Sequence, residues 1–244
     1  MRILLTVSYD GTNFNGYQVQ PNGRTVEQTL NDAIFALTKE GVKSVASGRT
    51  DSGVHALCQK VHFDTNSTIP PKSFAMALNS ILPCDVKVIK SERVSDDFNA
   101  RYTAKKKTYK YSFYIGAFEE PLETRYKTLI NAVPDLSLMK AGAKIIEGEH
   151  DFKCFLASGS SVKDTVRTVY SIKITKRGRF IDLYVTGNGF LYNMVRIIAG
   201  ALYAVGEGKL SLSELETVIN SGERTNKIKT MPAKGLTLYK VYYN

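Results

Sequence analysis

Cysteine is scarce in this chain. Cys58, Cys84 and Cys154 are the only three among 244 residues. They are odd in number and widely spaced, so they make no disulfide framework and read as reduced thiols of a cytoplasmic protein. Long apolar runs are missing as well: no window approaches the roughly eighteen consecutive apolar residues of a membrane span. The opening MRILLTVSYDGT has too short an apolar part, and no small-residue cleavage site, for a secretory signal, so none is expected. There is no Pro/Ser/Gly-rich linker, no low-complexity tract and no short-period repeat. Acidic residues are the minority charge, 23 Asp and Glu against 33 Lys and Arg, which leaves a net charge of +10. That excess invites a polyanionic partner.

Hydrophobic residues make up 43% of the chain. This is enough to bury a core without staples, as one large domain or two modest ones. The positive charge is unevenly spread. RYTAKKKTYKY, Arg101 to Tyr111, holds five cations, three tyrosines and no acid. Cations neutralise phosphates and aromatic rings offer faces to unstacked bases. A solvated strand whose lysines block edge-to-edge aggregation is the plainer alternative.

Periodicity outlines an α+β chain. Ile3, Leu5, Val7 and Tyr9 alternate as a strand that ends at Asp10-Gly11,. Thr25 and Gln28 have capping-box spacing ahead of a helix to about Thr38, striped by Val26, Leu30, Ala33, Ile34 and Leu37,. Val42 to Ala46 is predicted as a strand, followed by one with Leu57, Gln59, Val61 and Phe63 on one face. Pro70-Pro71 starts a helix carrying Phe74, Ala77, Leu78 and Ile81, and Val86 to Val94 returns as a strand. Farther on, strands are predicted at Thr108 to Ile115, Val166 to Thr175, Phe180 to Thr186 and Leu236 to Tyr243. Helices follow Asp135, cover Leu191 to Val205, and run from a Ser211/Glu214 capping box to about Gly222. Arg177-Gly178 joins two adjacent strands as an antiparallel hairpin. The expectation is therefore a mixed, mainly antiparallel sheet shared by two similar halves, 1–104 and 105–244. Helices would pack on one side, with a basic cleft between the halves.

The loop ASGRTDSGVHA, Ala46 to Ala56, fits neither a core strand nor a surface helix. Gly48 and Gly53 have the GxxxxG spacing of a phosphate loop, but Val54 and His55 stand where Lys and Ser or Thr are needed,. His55, Cys58 and His62 are near in sequence. On a strand, however, Cys58 and His62 lie roughly 13 Å apart at about 3.3 Å per residue, too far for one zinc. Ser52 lacks a GxSxG frame and a triad, and a single acid cannot make a glycosidase pair. Two readings stay open. Asp51 braces a tight turn, or it is a reacting carboxylate that Arg49 keeps ionised and aimed. Arg196 is a second oddity, because it interrupts the apolar stripe of its helix, where a buried cation calls for a carboxylate partner.

Taken with its surroundings, the loop resembles the GRTDxGVHA signature of the TruA family of tRNA pseudouridine synthases. YDGTNFNGYQVQ (Tyr9 to Gln20), DDFNARYTAKKKTYKY (Asp96 to Tyr111), GEHDF (Gly148 to Phe152), GNGFLYNMVRIIAG (Gly187 to Gly200) and AKGLTLYKVYY (Ala233 to Tyr243) resemble further family elements, in order. One departure is Tyr17, where many members carry Trp. The resemblance implies a homodimeric isomerase that converts uridine to pseudouridine in the tRNA anticodon stem-loop, at positions 38, 39 and 40, with no cofactor and no metal. It puts Asp51 on the catalytic aspartate, Tyr109 on the active-site tyrosine, and Arg49 and Arg196 on basic residues near that carboxylate. Phe98, Asn99, Ala100, Arg101 and Tyr102 fall on an RNA-contacting segment, which Lys105, Lys106 and Lys107 extend. The competing function is a non-catalytic RNA-binding protein. Charge and aromatics suit both, and only the Arg49–Asp51 pair and Tyr109 separate them.

Overall fold

The computed structural model describes residues 1–159 and 162–243. Its first strands and helices are β1 (Arg2–Tyr9), α1 (Val26–Thr38), β2 (Val45–Ala46), β3 (His55–Asp64), α2 (Phe74–Asn79) and β4 (Val86–Val94). After these come β5 (Lys106–Ile115), β6 (Thr128–Ile130), α3 (Leu136–Ile146), β7 (Gly148–Asp151), β8 (Val166–Arg177) and β9 (Phe180–Gly187). The chain closes with α4 (Met194–Gly206), α5 (Leu212–Ser221) and β10 (Leu236–Tyr242). This is an α+β chain with mainly antiparallel strand pairing. It divides into two compact units: Met1–Lys105 together with the strand residues from Thr237 on, and Lys106–Leu236. The last strand thus lies with the unit from which it is most distant in sequence.

In the first unit the strands run in the order β4-β1-β3-β10. β1 is antiparallel to both β3 and β4, β10 is parallel to β3, and the short β2 pairs with β3. Ile3, Leu5 and Val7 of β1 are fully buried with Phe63, Phe74, Leu30 and Ile34. Thr25 caps α1 by accepting the Gln28 N–H at 3.4 Å. The reciprocal half of the predicted capping box is not made, because the Gln28 amide turns to Asp32 Oδ1 (2.6 Å). The strand expected over Val42 to Ala46 shrinks to two residues, and the helix expected from Pro70 begins as a single 3₁₀ turn, Pro71–Ser73. Ile81, placed on the buried stripe of that helix, lies beyond its end and is exposed.

In the second unit the order is β5-β9-β8-β7, all antiparallel, with β6 parallel to β5. Arg177 pairs with Phe180, so the hairpin turn is Gly178-Arg179, one residue later than predicted. α4 starts at Met194 rather than Leu191. The Ser211/Glu214 capping box of α5 is complete: Glu214 N donates to Ser211 Oγ (3.2 Å) and Ser211 N to Glu214 Oε2 (2.8 Å). α3, α4 and α5 meet around Met139, Ile146, Ile198, Leu202 and Leu215, all fully buried.

His62, on β3, is a buried polar anchor. Its Nδ1 accepts the Ala100 N–H at 3.1 Å. Burial holds its pKa below the ordinary histidine value, Arg2 adds to that, and Asp64 opposes it in part. The imidazole is therefore neutral in the fold, whereas the unfolded chain takes up a proton below about pH 6.5. Stability contributed by this site is complete above that pH and is lost as pH falls toward the lower folded-state pKa. The thermal midpoint is expected to drop between about pH 7.5 and about pH 5.5. The drop should be smaller in His62→Asn, whose Oδ1 can still accept the Ala100 N–H. Circular-dichroism melts with equal drops for both proteins would remove His62 from this account.

Candidate active site

The loop from Ser47 to His55 is a backbone-bonded part of the first unit. Ser47 N donates to Lys60 O (2.7 Å), Tyr17 N to Thr50 O (3.0 Å), Val54 N to Asp51 O (3.1 Å) and Gly53 N to Phe14 O (3.4 Å). Ser52 Oγ reaches the same Phe14 carbonyl at 3.2 Å. His55 is buried, accepts the Gly11 N–H at Nδ1 (3.0 Å) and lies 3.2 Å from Asp10 Oδ1. The segment Tyr9 to Tyr17 therefore supplies much of the bracing. Its approach is so close that a Cβ on Gly11 would sit 2.0 Å from the Val54 carbonyl oxygen. Only glycine fits there.

Side chains complete the clamp. Tyr9 Oη shares a hydrogen with Thr50 Oγ1 (2.8 Å). Gln59 Oε1 accepts from Ser47 Oγ (2.6 Å), and its Nε2 donates to Gly48 O (2.7 Å). Ser47 and Thr50 are buried, Asp51 is half-buried and Arg49 is exposed. Arg49 takes part in none of the ion pairs seen among the described residues. The fold thus holds the loop at the residues flanking these two side chains.

In the second unit, Tyr109 lies on β5 opposite Val185 of β9 and is only 9% exposed. Its ring and that of Phe190 stand nearly perpendicular, with centroids 5.3 Å apart and planes at 88°, a favourable aromatic geometry. Alternation along β5 puts Lys107, Tyr109 and Tyr111 on one face, and Lys106 and Lys110 on the other. Lys110 Nζ lies 3.9 Å from Asp182 Oδ1. Tyr111 is locked, since its hydroxyl contacts Thr128 Oγ1 (2.6 Å) and donates to Pro232 O (2.8 Å). Burial raises its pKa, against the Thr128 bond and the positive Arg196.

Arg196, in the first turn of α4, is half-buried. Among the described residues its hydrogen-bond acceptors are neutral rather than the expected carboxylate: Nε donates to Met231 O (2.6 Å) and Nη1 to Asn193 Oδ1 (2.6 Å). Asn193 sits at the helix N-cap with φ 61°, a left-handed conformation that asparagine tolerates better than most residues. Its side chain serves the arginine and not the helix. A Cβ on Gly200 would lie 1.9 Å from Lys229 O, so this glycine lets the 229–231 strand of backbone run against α4 and offer the Met231 carbonyl. Both of these acceptors are uncharged.

The segment Phe98 to Tyr102 is a tight, ordered turn of the first unit. Asn99 Oδ1 accepts from the N–H of Arg101 (2.9 Å) and Tyr102 (3.1 Å). Phe98 packs on Tyr243 at 4.9 Å between ring centroids. Ala100 is fully buried and bonded through its N–H to His62 and its carbonyl to Tyr243 Oη (3.0 Å). It anchors the turn, and its side chain is closed to any RNA contact. Arg101 and Tyr102 project outward, the tyrosine 79% exposed, with the guanidinium 5.7 Å from the ring centroid. Sequence reasoning missed Tyr9, Gln59, Phe190, Asn193 and the Met231 carbonyl as builders of these sites. Gln59 left a signal, as an amide in an otherwise apolar row; a backbone carbonyl leaves none.

Comparison with known proteins places the chain as a whole. Residues 5–103 and 143–244 match the family described as tRNA pseudouridine synthase. The chain is 45% identical over 241 residues to tRNA pseudouridine synthase A of Caldicellulosiruptor saccharolyticus, covering 99% of each. It is 43% identical over 246 residues to the Bacillus licheniformis protein of that name, covering 100% of each. Similarity that covers nearly the whole chain makes it a member of the TruA family of tRNA pseudouridine synthases, isomerases that act on tRNA.

Proposed function

We propose that this protein isomerises uridine to pseudouridine in the tRNA anticodon stem-loop, at positions 38, 39 and 40, with Asp51 as the reacting carboxylate. The observation that carries the proposal is the loop itself, in which bonds fix the residues on both sides of Asp51. The bond from C1′ to N1 breaks, the freed uracil turns, and a bond forms from C1′ to C5. The proton lost from C5 is balanced by one gained at N1, so no redox or phosphate chemistry is required. A paired base is out of reach, so the nucleotide must leave the stack. In this reading Tyr109, perpendicular to Phe190, packs against the uracil, and Arg196 supplies a fixed positive charge. Arg49, exposed in the free protein, engages when the RNA arrives. The reading requires residues of both units to face one nucleotide, with the RNA path in a basic cleft between the halves 1–104 and 105–244. It extends to a homodimer that works in the cytoplasm. Arg101, Tyr102, Lys105 and Lys107 meet the stem-loop, while Phe98, Asn99 and Ala100 shape their turn.

Asp51→Asn keeps size and turn bonding but removes the charge. Tritium release from C5 of labelled uridine in tRNA should fall at least roughly 10³-fold, with filter-binding affinity unchanged. Substantial turnover by this variant would favour a binding protein without catalysis.

Tyr109→Phe separates ring from hydroxyl. Loss of a proton-transferring hydroxyl lowers turnover by roughly 10²-fold with tRNA binding intact, and this is the expected result. Near-native turnover would leave the tyrosine only a packing role.

The two faces of β5 predict a split among the lysines. Lys107→Ala should reduce the slope of log affinity against log salt by roughly one. Lys110→Ala, whose charge is already paired with Asp182, should leave it unchanged. Equal slopes for both variants would move the RNA path off the Tyr109 face.

A further inference from the structure

Gln59 is an anomaly in its strand. It sits on β3 between Leu57 and Val61 in the row that also carries Phe63, and it is fully buried. A buried primary amide brings two donors and an acceptor that must be met inside the protein. The loop meets the acceptor and one of the donors: Oε1 takes the Ser47 hydroxyl at 2.6 Å and Nε2 gives a hydrogen to the Gly48 carbonyl at 2.7 Å. The orientation follows from chemistry, since a carbonyl can only accept. Tyr9 stands beside it as a polar neighbour, and burial keeps its phenol protonated. Its hydroxyl holds Thr50 at 2.8 Å. One amide and one phenol therefore grip residues 47, 48 and 50, around Arg49 and immediately before Asp51.

We infer that Gln59 is a positioning residue for the reaction: its amide fixes the entry of the loop and thereby the direction in which Asp51 meets the uridine. This rests on the reading of Asp51 as the reacting carboxylate. Gln59 touches neither substrate nor reacting atoms. Its effect is on the rate of the bound complex, because a displacement of about 1 Å at a reacting group can slow a reaction roughly 10²-fold.

The test uses full-length protein and tRNA in single-turnover reactions, with tRNA affinity and melting temperature measured alongside. Gln59→Leu should slow the bound complex by roughly 10- to 100-fold with tRNA affinity retained. Gln59→Glu adds a readout that a purely structural role would not move. When protonated, the glutamic acid can accept from Ser47 and donate to Gly48 as the amide does; when ionised, it faces the Gly48 carbonyl with a second acceptor. Burial raises the pKa of such a carboxyl. The ratio of its rate to wild type should therefore climb as pH is lowered from about 8.5 to about 5.5. A wild-type rate in Gln59→Leu, or a ratio independent of pH, would overturn the inference; if the leucine variant does not fold, the glutamate ratio decides. Turnover by Asp51→Asn would undo the underlying reading. A dead Asp51→Asn beside a fully active Gln59→Leu would undo this inference alone.

Discussion

The close approach of two backbones sets the terms for the first unit. The segment after β1 lies against the loop before β3 so tightly that Gly11 touches the Val54 carbonyl, and the bonds from Phe14 and Tyr17 to residues 50, 52 and 53 depend on that approach. A loop rich in small polar residues has little apolar area with which to order itself, and fixing each residue opposes it by about 1–2 kcal/mol of conformational entropy. Here the ordering comes from hydrogen bonds made in a buried setting, where an unmade bond is penalised more than a made one is rewarded. Rigidity in this loop is therefore a property of the neighbouring strand and segment as much as of its own sequence.

The second unit solves a related problem in another way. A cation in a helix stripe normally asks for a carboxylate, and pairing it with one would spend its charge. Arg196 instead receives a backbone carbonyl and an asparagine oxygen. Gly200 and the left-handed Asn193 are the backbone concessions that make this possible. Tyr109 is likewise fixed by its strand and by the perpendicular ring of Phe190. Fixed positions of this kind are what the proposed reaction asks of both side chains.

Much of this was legible in the sequence. β1, α1 and α5 have strong periodicity and recognisable ends, so their types and limits follow from the apolar pattern and the caps. β6 and β7 escaped because three residues, and the polar GEHD, carry no usable period. The return of β10 to β3 pairs residues 237 and 55, and no local signal encodes a partner that far away. The aspartate loop was visible as an oddity and, through resemblance, as a signature. Its supports were visible only where a side chain stood out of place, as Gln59 does. The Met231 carbonyl was invisible because backbone groups are the same at every position. Arg196 was noticed for the right reason, but its partner was misjudged because close backbone packing can stand in for an acid.

In the proposed reaction the braced loop presents Asp51 to a uridine drawn out of its stem-loop. A crystal structure of this protein with a tRNA substrate tests it most directly. The expected complex has one anticodon-arm uridine outside the base stack, its ribose or base within hydrogen-bonding distance of the Asp51 carboxylate, and the ring of Tyr109 against the uracil. A stem-loop bound with every uridine still stacked, or an extruded base lying away from Asp51, would contradict it.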